Sequence, residues 1–328
     1  RLMTRYFALI FLLISFSISA QPSRELLFSI NPSILKVHVA TKEGNHGVGS
    51  GVVVAKDYVV TNCHVIANAQ GVHVTKYGYS YSPTALIANW KKDLCILKFK
   101  FLELRPVKLG STASLEYETE VFGKSYGGNT IKPHTSYGKV KGLHLFDDYH
   151  VVQSSAWFSL GASGGGLFNN EGELIGVTTF KTAGRFAFYY SMPVEIIKDM
   201  LAHGEEISVT TQSDLPFWDA PEQQLPYFMR VAGPLKNEEW LKLNTISQEW
   251  VEAEPASSEA KVHLAISLYH KSDFNQAKQL FIDVTKSNSR HTQCYYYLYK
   301  IAEKENLVSE QEKYKKIVMQ LDENLLEE

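Results

Sequence analysis

Residues Gln153-Ser154-Ser155-Ala156-Trp157-Phe158-Ser159-Leu160-Gly161-Ala162-Ser163-Gly164-Gly165-Gly166-Leu167-Phe168, followed by Gly176-Val177-Thr178-Thr179, decide the reading of this chain. A serine in a glycine-rich loop is, by itself, usually only a turn. The spacing G-x-S-x-G at Gly161 to Gly165 also matches a nucleophile elbow, but that elbow opens a helix and its partners follow in the order Ser, Asp, His. Here both candidate partners come before the serine. Thr61-Asn62-Cys63-His64-Val65 supplies an imidazole directly after a strand-like run. Lys92-Asp93-Leu94-Cys95-Ile96-Leu97-Lys98 places an acid at the head of an apolar strand, where alone it would read as a solvated strand end.

Together the three segments hold a hydroxyl, a base and an acid in the order His, Asp, Ser. A serine hydroxyl barely ionises near neutrality, so it attacks an acyl carbon only when an imidazole removes its proton and a carboxylate holds that imidazole in the right tautomer. The expected roles are His64 as general base, Asp93 as its orienting acid and Ser163 as nucleophile. Gly161 and Gly164 permit a tight turn that aims the Gly161 and Ser163 amides at a developing oxyanion, worth about 3–4 kcal/mol for one donor. Gly47-Val48-Gly49-Ser50-Gly51 hints at a phosphate loop, but it leads into strand-like Val52-Val53-Val54 rather than a helix, and the nucleotide reading fails. No HExxH helix is present, His144 and His150 read as loop residues, and the cysteines lack paired zinc spacing. No metal and no cofactor is expected.

On these motifs residues 34 to 203 resemble a trypsin-like serine protease of the HtrA/DegP type. Gly47 to Gly51 is similar to that family's GxGSG strand, Thr61 to Val65 to its TN-x-HV, and Asp93 to Leu97 to its DLAVL. Gly161 to Gly165 is similar to its GNSGG, and Tyr190-Ser191-Met192-Pro193 to its FAIP. The resemblance implies a double antiparallel β-barrel of the chymotrypsin fold carrying the three roles above. Ala162 stands where digestive relatives have the Asp that receives a new amino terminus, so activation by that salt bridge is not expected. Gly166 and Leu160 replace prolines, which implies a more mobile loop around Ser163. Six residues before Ser163 the family's pocket-base position holds Trp157, so specificity for Lys or Arg is not expected. The pocket is instead assigned to Trp157, Phe158, Thr178 and Thr179, with a preference for small or apolar side chains. The PDZ domains usual after such a protease are not found.

At 328 residues the chain has room for about two domains of roughly 150 residues each. A composition with 45% hydrophobic and 21% charged residues excludes a disordered chain. Thirty-three basic against thirty-five acidic residues leave no global field for a nucleic-acid backbone, so nucleic acid is not an expected partner. Arg1 and Arg5 precede an apolar run from Tyr6 that gives way to Ser19-Ala20 and Gln21-Pro22, which reads as a signal peptide (1–20) cleaved after Ala20. A spanning helix needs about 20 apolar residues, so no stable membrane span is expected after cleavage. The mature chain is then periplasmic or secreted. Cys63 and Cys95 flank His64 and Asp93; they read either as small buried hydrophobes or, if their Cβ atoms lie about 4 Å apart, as a disulfide.

From Ile34 to Tyr190, β-branched runs alternate with turn residues, the pattern of many short strands. Ser191 as N-cap and Pro193 in the first turn predict a closing helix that ends near Gly204. The protease-like domain thus covers 21–204. Residues 205–234 read as a linker, in which Phe217, Trp218, Tyr227 and Phe228 argue against free flexibility. Residues 235–328 have helical period, and Leu264, Ala265, Leu268, Phe274, Ala277 and Phe281 match the small and apolar positions of a tetratricopeptide repeat, with Pro255 ending the preceding unit. Gln311 makes the last repeat degenerate, and Tyr295-Tyr296-Tyr297 reads as packing. A generic helical bundle is the plainer alternative. The expected function is an extracytoplasmic serine endopeptidase acting on a protein or peptide substrate, with the repeats recruiting a partner or holding an oligomer. The competing reading is a peptide-binding scaffold that does not cut.

Overall fold

The computed structural model describes residues 21–127, 130–182, 188–209 and 214–326. The segment read as a signal peptide lies outside them. A helix α1 (Arg24–Ile30), capped by the Ser23 hydroxyl, leads into the first sheet. That sheet is built from β1 (Ile34–Thr41), β2 (His46–Ala55), β3 (Tyr58–Thr61), β4 (Ala69–Lys76), β5 (Tyr79–Tyr81), β6 (Ala85–Asn89) and β7 (Leu94–Lys98), with the short helix α2 (Cys63–Ile66) after β3. The second unit comprises β8 (Glu120–Ser125), β9 (His134–Phe146), β10 (Tyr149–Ser154), β11 (Gly166–Asn169), β12 (Leu174–Lys181) and β13 (Tyr189–Pro193). It closes as the barrel β10-β13-β12-β11-β8-β9. The first sheet, in the order β5-β4-β1-β2-β3-β7-β6, curls into a half-barrel without closing. Its β6 edge is met instead by the chain returning from α3 (Val194–His203), through reciprocal backbone hydrogen bonds between Leu86 and Ile207 at 2.8 and 2.9 Å. The two-barrel architecture implied by the resemblance is therefore present, with one barrel open.

Alternation along these strands sends one face inward, as a half-buried sheet requires. Val37, Val53, Val59, Leu86, Leu97 and Phe99 pack the first unit. Val121, Val140, Val152, Leu167 and Ile175 pack a layer of the second. The closing helix is present, but its cap differs from the expected one. Ser191 is buried in β13, paired with Val152 and Thr178, and the helix begins only after Pro193 without a side-chain cap. The ladder outcompetes the local capping preference because Ser191 has strand partners on both sides.

After α3 come two short helices, α4 (Tyr227–Arg230) and α5 (Ala232–Lys236), then α6 (Trp240–Ala253), α7 (Ser258–His270), α8 (Phe274–Ser287), α9 (Thr292–Lys304) and α10 (Val308–Leu321). Helices α6, α8 and α10 begin at residues 240, 274 and 308, and α7 and α9 at 258 and 292, so each set recurs every 34 residues. Small side chains at Ala260, Ala265 and Ala277 are fully buried between them, which lets the helix backbones approach. No helix among the described residues is long and apolar enough to cross a membrane.

The helical part is joined to the closed barrel by buried polar contacts. Tyr117 donates its hydroxyl to Glu259, Thr292 donates to Glu118, and Lys141 of β9 pairs with Glu118 and Asp322. His291 meets Glu259 at 2.9 Å with both side chains almost fully buried. Burial opposes the charge on His291, but Cys294 and the Glu259 carboxylate beside it hold its pKa well above the usual 6.5. Burial likewise opposes the Glu259 charge, yet His291, with His144 and His263 behind it, holds that carboxyl far below its usual range. The raised pKa makes the His291 contribution complete below pH 6.5 and lost as pH climbs through the folded value; the lowered Glu259 pKa makes its share present above 4.5 and lost as pH falls. Glu259→Gln strands a buried cation and is expected to cost about 3–5 kcal/mol in urea unfolding at neutral pH. Tyr117→Phe, which leaves the pair intact, should cost less.

Candidate active site

The turn after β3 places His64 on α2, where the Asn62 side chain organises the backbone. Its Nδ2 donates to the Asp93 carbonyl at 2.9 Å and to Thr179 Oγ1 at 3.0 Å, so one amide ties the half-barrel to the closed barrel. Asp93 lies in the turn before β7 with φ of +57°, a left-handed conformation that aspartate tolerates better than most residues. That backbone turns its carboxylate inward, where it is wholly buried. Oδ1 accepts the His64 backbone N–H at 2.8 Å and Oδ2 accepts the imidazole Nδ1–H at 2.6 Å. A carboxylate here can only accept, so Nδ1 carries the shared proton, and in the neutral ring the lone pair is left on Nε2.

Cys63 and Cys95 form a disulfide with Cα atoms 4.9 Å apart, which settles the alternatives the sequence left open. The bond ties the turn carrying His64 to the strand that follows Asp93. Closing a separation of 32 residues is worth about 3–4 kcal/mol on the chain-entropy account. Dithiothreitol is expected to lower the urea unfolding free energy of the chain by that amount, and to leave a Cys63→Ala/Cys95→Ala variant unaffected.

Ser163 sits in the loop before β11, partly exposed like His64. Its carbonyl accepts the Ser50 N–H of β2 at 2.8 Å, and the Gly164 N–H reaches the Thr178 carbonyl at 2.9 Å, so the loop is pinned to both β units. Gly164 has φ of +89°, and a Cβ there would stand 2.1 Å from the Ser50 carbonyl oxygen; no other residue fits this turn. Gly161 also lies at positive φ, +82°. The neighbouring amides of Ala162 and Gly165 are spent on Ser159 and Ala162 carbonyls, whereas among the described residues those of Gly161 and Ser163 make no backbone hydrogen bond. The Ser163 hydroxyl faces the Thr179 carbonyl at 3.5 Å, and among the described residues no hydrogen bond joins it to His64.

The four residues assigned to a substrate pocket have different surroundings. Trp157 is 47% exposed and lies against His134 with ring centroids 4.7 Å apart. Phe158 is buried edge-on to Tyr189. Thr178 spends its hydroxyl on the Ala162 and Gly165 carbonyls and thereby buttresses the serine loop. Thr179 receives Asn62 and presents its carbonyl to Ser163. Gly166 is held in the β11 ladder between Lys124 and Val177. His144 is a buried strand residue of β9 rather than a loop residue, stacked on Phe228 with its Nε2 on Gln153. No group of three His, Cys, Asp or Glu among the described residues is placed to hold a metal ion.

One residue at the site was not found from the sequence. The Trp218 indole N–H reaches Asp93 Oδ2 at 2.9 Å, from a segment read as a linker. Its only sequence signal was an aromatic pair, Phe217-Trp218, set between Pro216 and Pro221 in a stretch without periodicity.

Residues 49–177 match the trypsin-like peptidase domain family. The chain is 29% identical over 182 residues to a probable periplasmic serine endoprotease DegP-like of Buchnera aphidicola subsp. Schizaphis graminum, covering 52% of this chain and 37% of that protein. It is 30% identical over 198 residues to the serine protease HTRA1B of Danio rerio, covering 54% and 39%. The chain thus spans well under half the length of these relatives. Among solved structures it is similar to the active form of the Rv3671c protease of M. tuberculosis, with a TM-score of 0.52 and 19% identity over 59% of this chain and 92% of that one. The likeness to that structure is one of fold. Both sequence relatives are named as serine proteases.

Proposed function

We propose that the chain is a serine endopeptidase that cleaves protein or peptide substrates through an acyl-enzyme. The reading is carried by the buried Asp93 carboxylate gripping His64 through both its backbone and its ring, beside a serine loop pinned to the same two β units. In the reaction the Ser163 hydroxyl leaves the Thr179 carbonyl for His64 Nε2, gives up its proton there and attacks the acyl carbon. The oxyanion is held by the Gly161 and Ser163 amides, and His64 returns the proton to the leaving amine. Water then repeats the sequence on the acyl-enzyme.

Absence of an acid at Trp157 supports a preference for small or apolar side chains over Lys and Arg. Helix pairs recurring every 34 residues support tetratricopeptide-like repeats that recruit a partner or substrate, or hold an oligomer. The amino-terminal apolar run, the Cys63–Cys95 bridge and the periplasmic names of several relatives support work outside the cytoplasm. A fluorophosphonate probe should label Ser163, and unfolded casein should be cut. The second reading, a scaffold that binds peptides without cutting, draws on the missing Ser163–His64 hydrogen bond. It predicts peptide binding with no labelling under any condition.

A further inference from the structure

Trp218 reaches the site from outside both β units. The segment after α3 meets β6 at Ile207, and the Phe217 N–H then donates to the Lys91 carbonyl at 2.9 Å. Phe217 stacks on Phe146 of the closed barrel, 4.2 Å between centroids. Held to both units, the segment presents the Trp218 ring edge-on to the His64 imidazole, centroids 5.3 Å apart at 90°, with Phe180 of β12 alongside. Its Nε1–H shares Asp93 Oδ2 with His64 Nδ1.

A buried carboxylate needs a donor for each oxygen it takes out of water. Among the described residues the other two donors to Asp93 both come from His64: the backbone N–H fixes Oδ1, whereas at Oδ2 the imidazole, a ring free to turn about its own bonds, is the one partner besides the indole. The indole is an independent third point. It has one donor and no acceptor, so it compels Oδ2 to act as an acceptor and leaves the His64 Nδ1 proton on the ring. We infer that Trp218 is a positioning residue: the segment following the barrels sets the plane of the Asp93 carboxylate and with it the direction of His64 Nε2. The inference rests on the reading of His64, Asp93 and Ser163 as a protease triad.

The test uses the full chain with a fluorophosphonate probe, separating the inactivation rate constant from probe affinity. Trp218→Phe keeps an aromatic ring against His64 but removes the N–H; Trp218→His keeps a ring N–H. Loss of one hydrogen bond to a charged group predicts a rate constant about tenfold lower in Trp218→Phe, with affinity within about twofold. The far-downfield proton resonance of the His64–Asp93 hydrogen bond should also shift, and Trp218→His should recover part of both. Wild-type rate and resonance in Trp218→Phe would overturn the inference, as would equal losses in both variants accompanied by weaker probe affinity. If the phenylalanine variant does not fold, the histidine variant decides, since loss of rate and resonance in the folded protein would count against an N–H role. If the wild type itself takes no label, the triad reading fails, and the resonance still decides for or against Trp218.

Discussion

Ser163→Ala is expected to abolish fluorophosphonate labelling and to lower casein hydrolysis by a factor on the order of 10⁵–10⁶, with the melting temperature unchanged within a few degrees. The side chain removed is small, and its hydroxyl makes one long contact, to the Thr179 carbonyl at 3.5 Å, so the fold loses little. The loop is held by its backbone, through the Ser163 carbonyl on Ser50 and the Gly164 amide on Thr178, and alanine preserves both bonds. Loss of rate without loss of stability is the signature of a nucleophile. Undiminished casein hydrolysis by the alanine variant would remove Ser163 from the mechanism.

Asp93→Asn is expected to cut the turnover rate by about 10⁴, the size reported generally for turning the imidazole to the wrong tautomer. All three groups that meet the carboxylate are donors: the His64 N–H, the His64 Nδ1–H and the Trp218 Nε1–H. Asparagine has one acceptor oxygen and one NH2 group, so in either amide orientation a donor faces a donor. Placing the NH2 at the Oδ2 position sets it against the indole and draws the imidazole into accepting at Nδ1, which puts the ring proton on Nε2, where it cannot take the serine proton. The opposite orientation keeps the indole and the Nδ1–H paired but sets the NH2 against the His64 backbone N–H, so that backbone donor is what opposes the working tautomer. Substrate affinity should change little, because the residue is fully buried. A turnover rate within tenfold of the wild type would refute this account.

The candidate catalytic residues were legible because they lie in short motifs whose residue types follow from the proposed reaction. An imidazole just after a strand, an acid at the head of another and a serine among glycines each carry local signals of their own. Trp218 carried only the aromatic pair it forms with Phe217, which says nothing of Asp93, because that partner is 125 positions away and the segment obeys no period. Ser191 carried a misleading signal: its capping preference is intrinsic, while its β13 pairing depends on Val152 and Thr178. Trp157 was placed by alignment of spacing, and its contact with His134 carries no signal in the sequence.

By itself the amino-acid order determined the β-then-α division, the strand and helix periods and the candidates for hydroxyl, base and acid, since these depend on side chains a few positions apart. The tertiary structure alone decided the Cys63–Cys95 bond, the open first barrel closed off by Ile207, the Glu259–His291 pair at the helical interface and the third donor on Asp93. Each of these is a contact between segments far apart in the chain. Which partner such a group finds depends on how the whole chain packs, and buried polar groups accept only the partner that packing brings within reach.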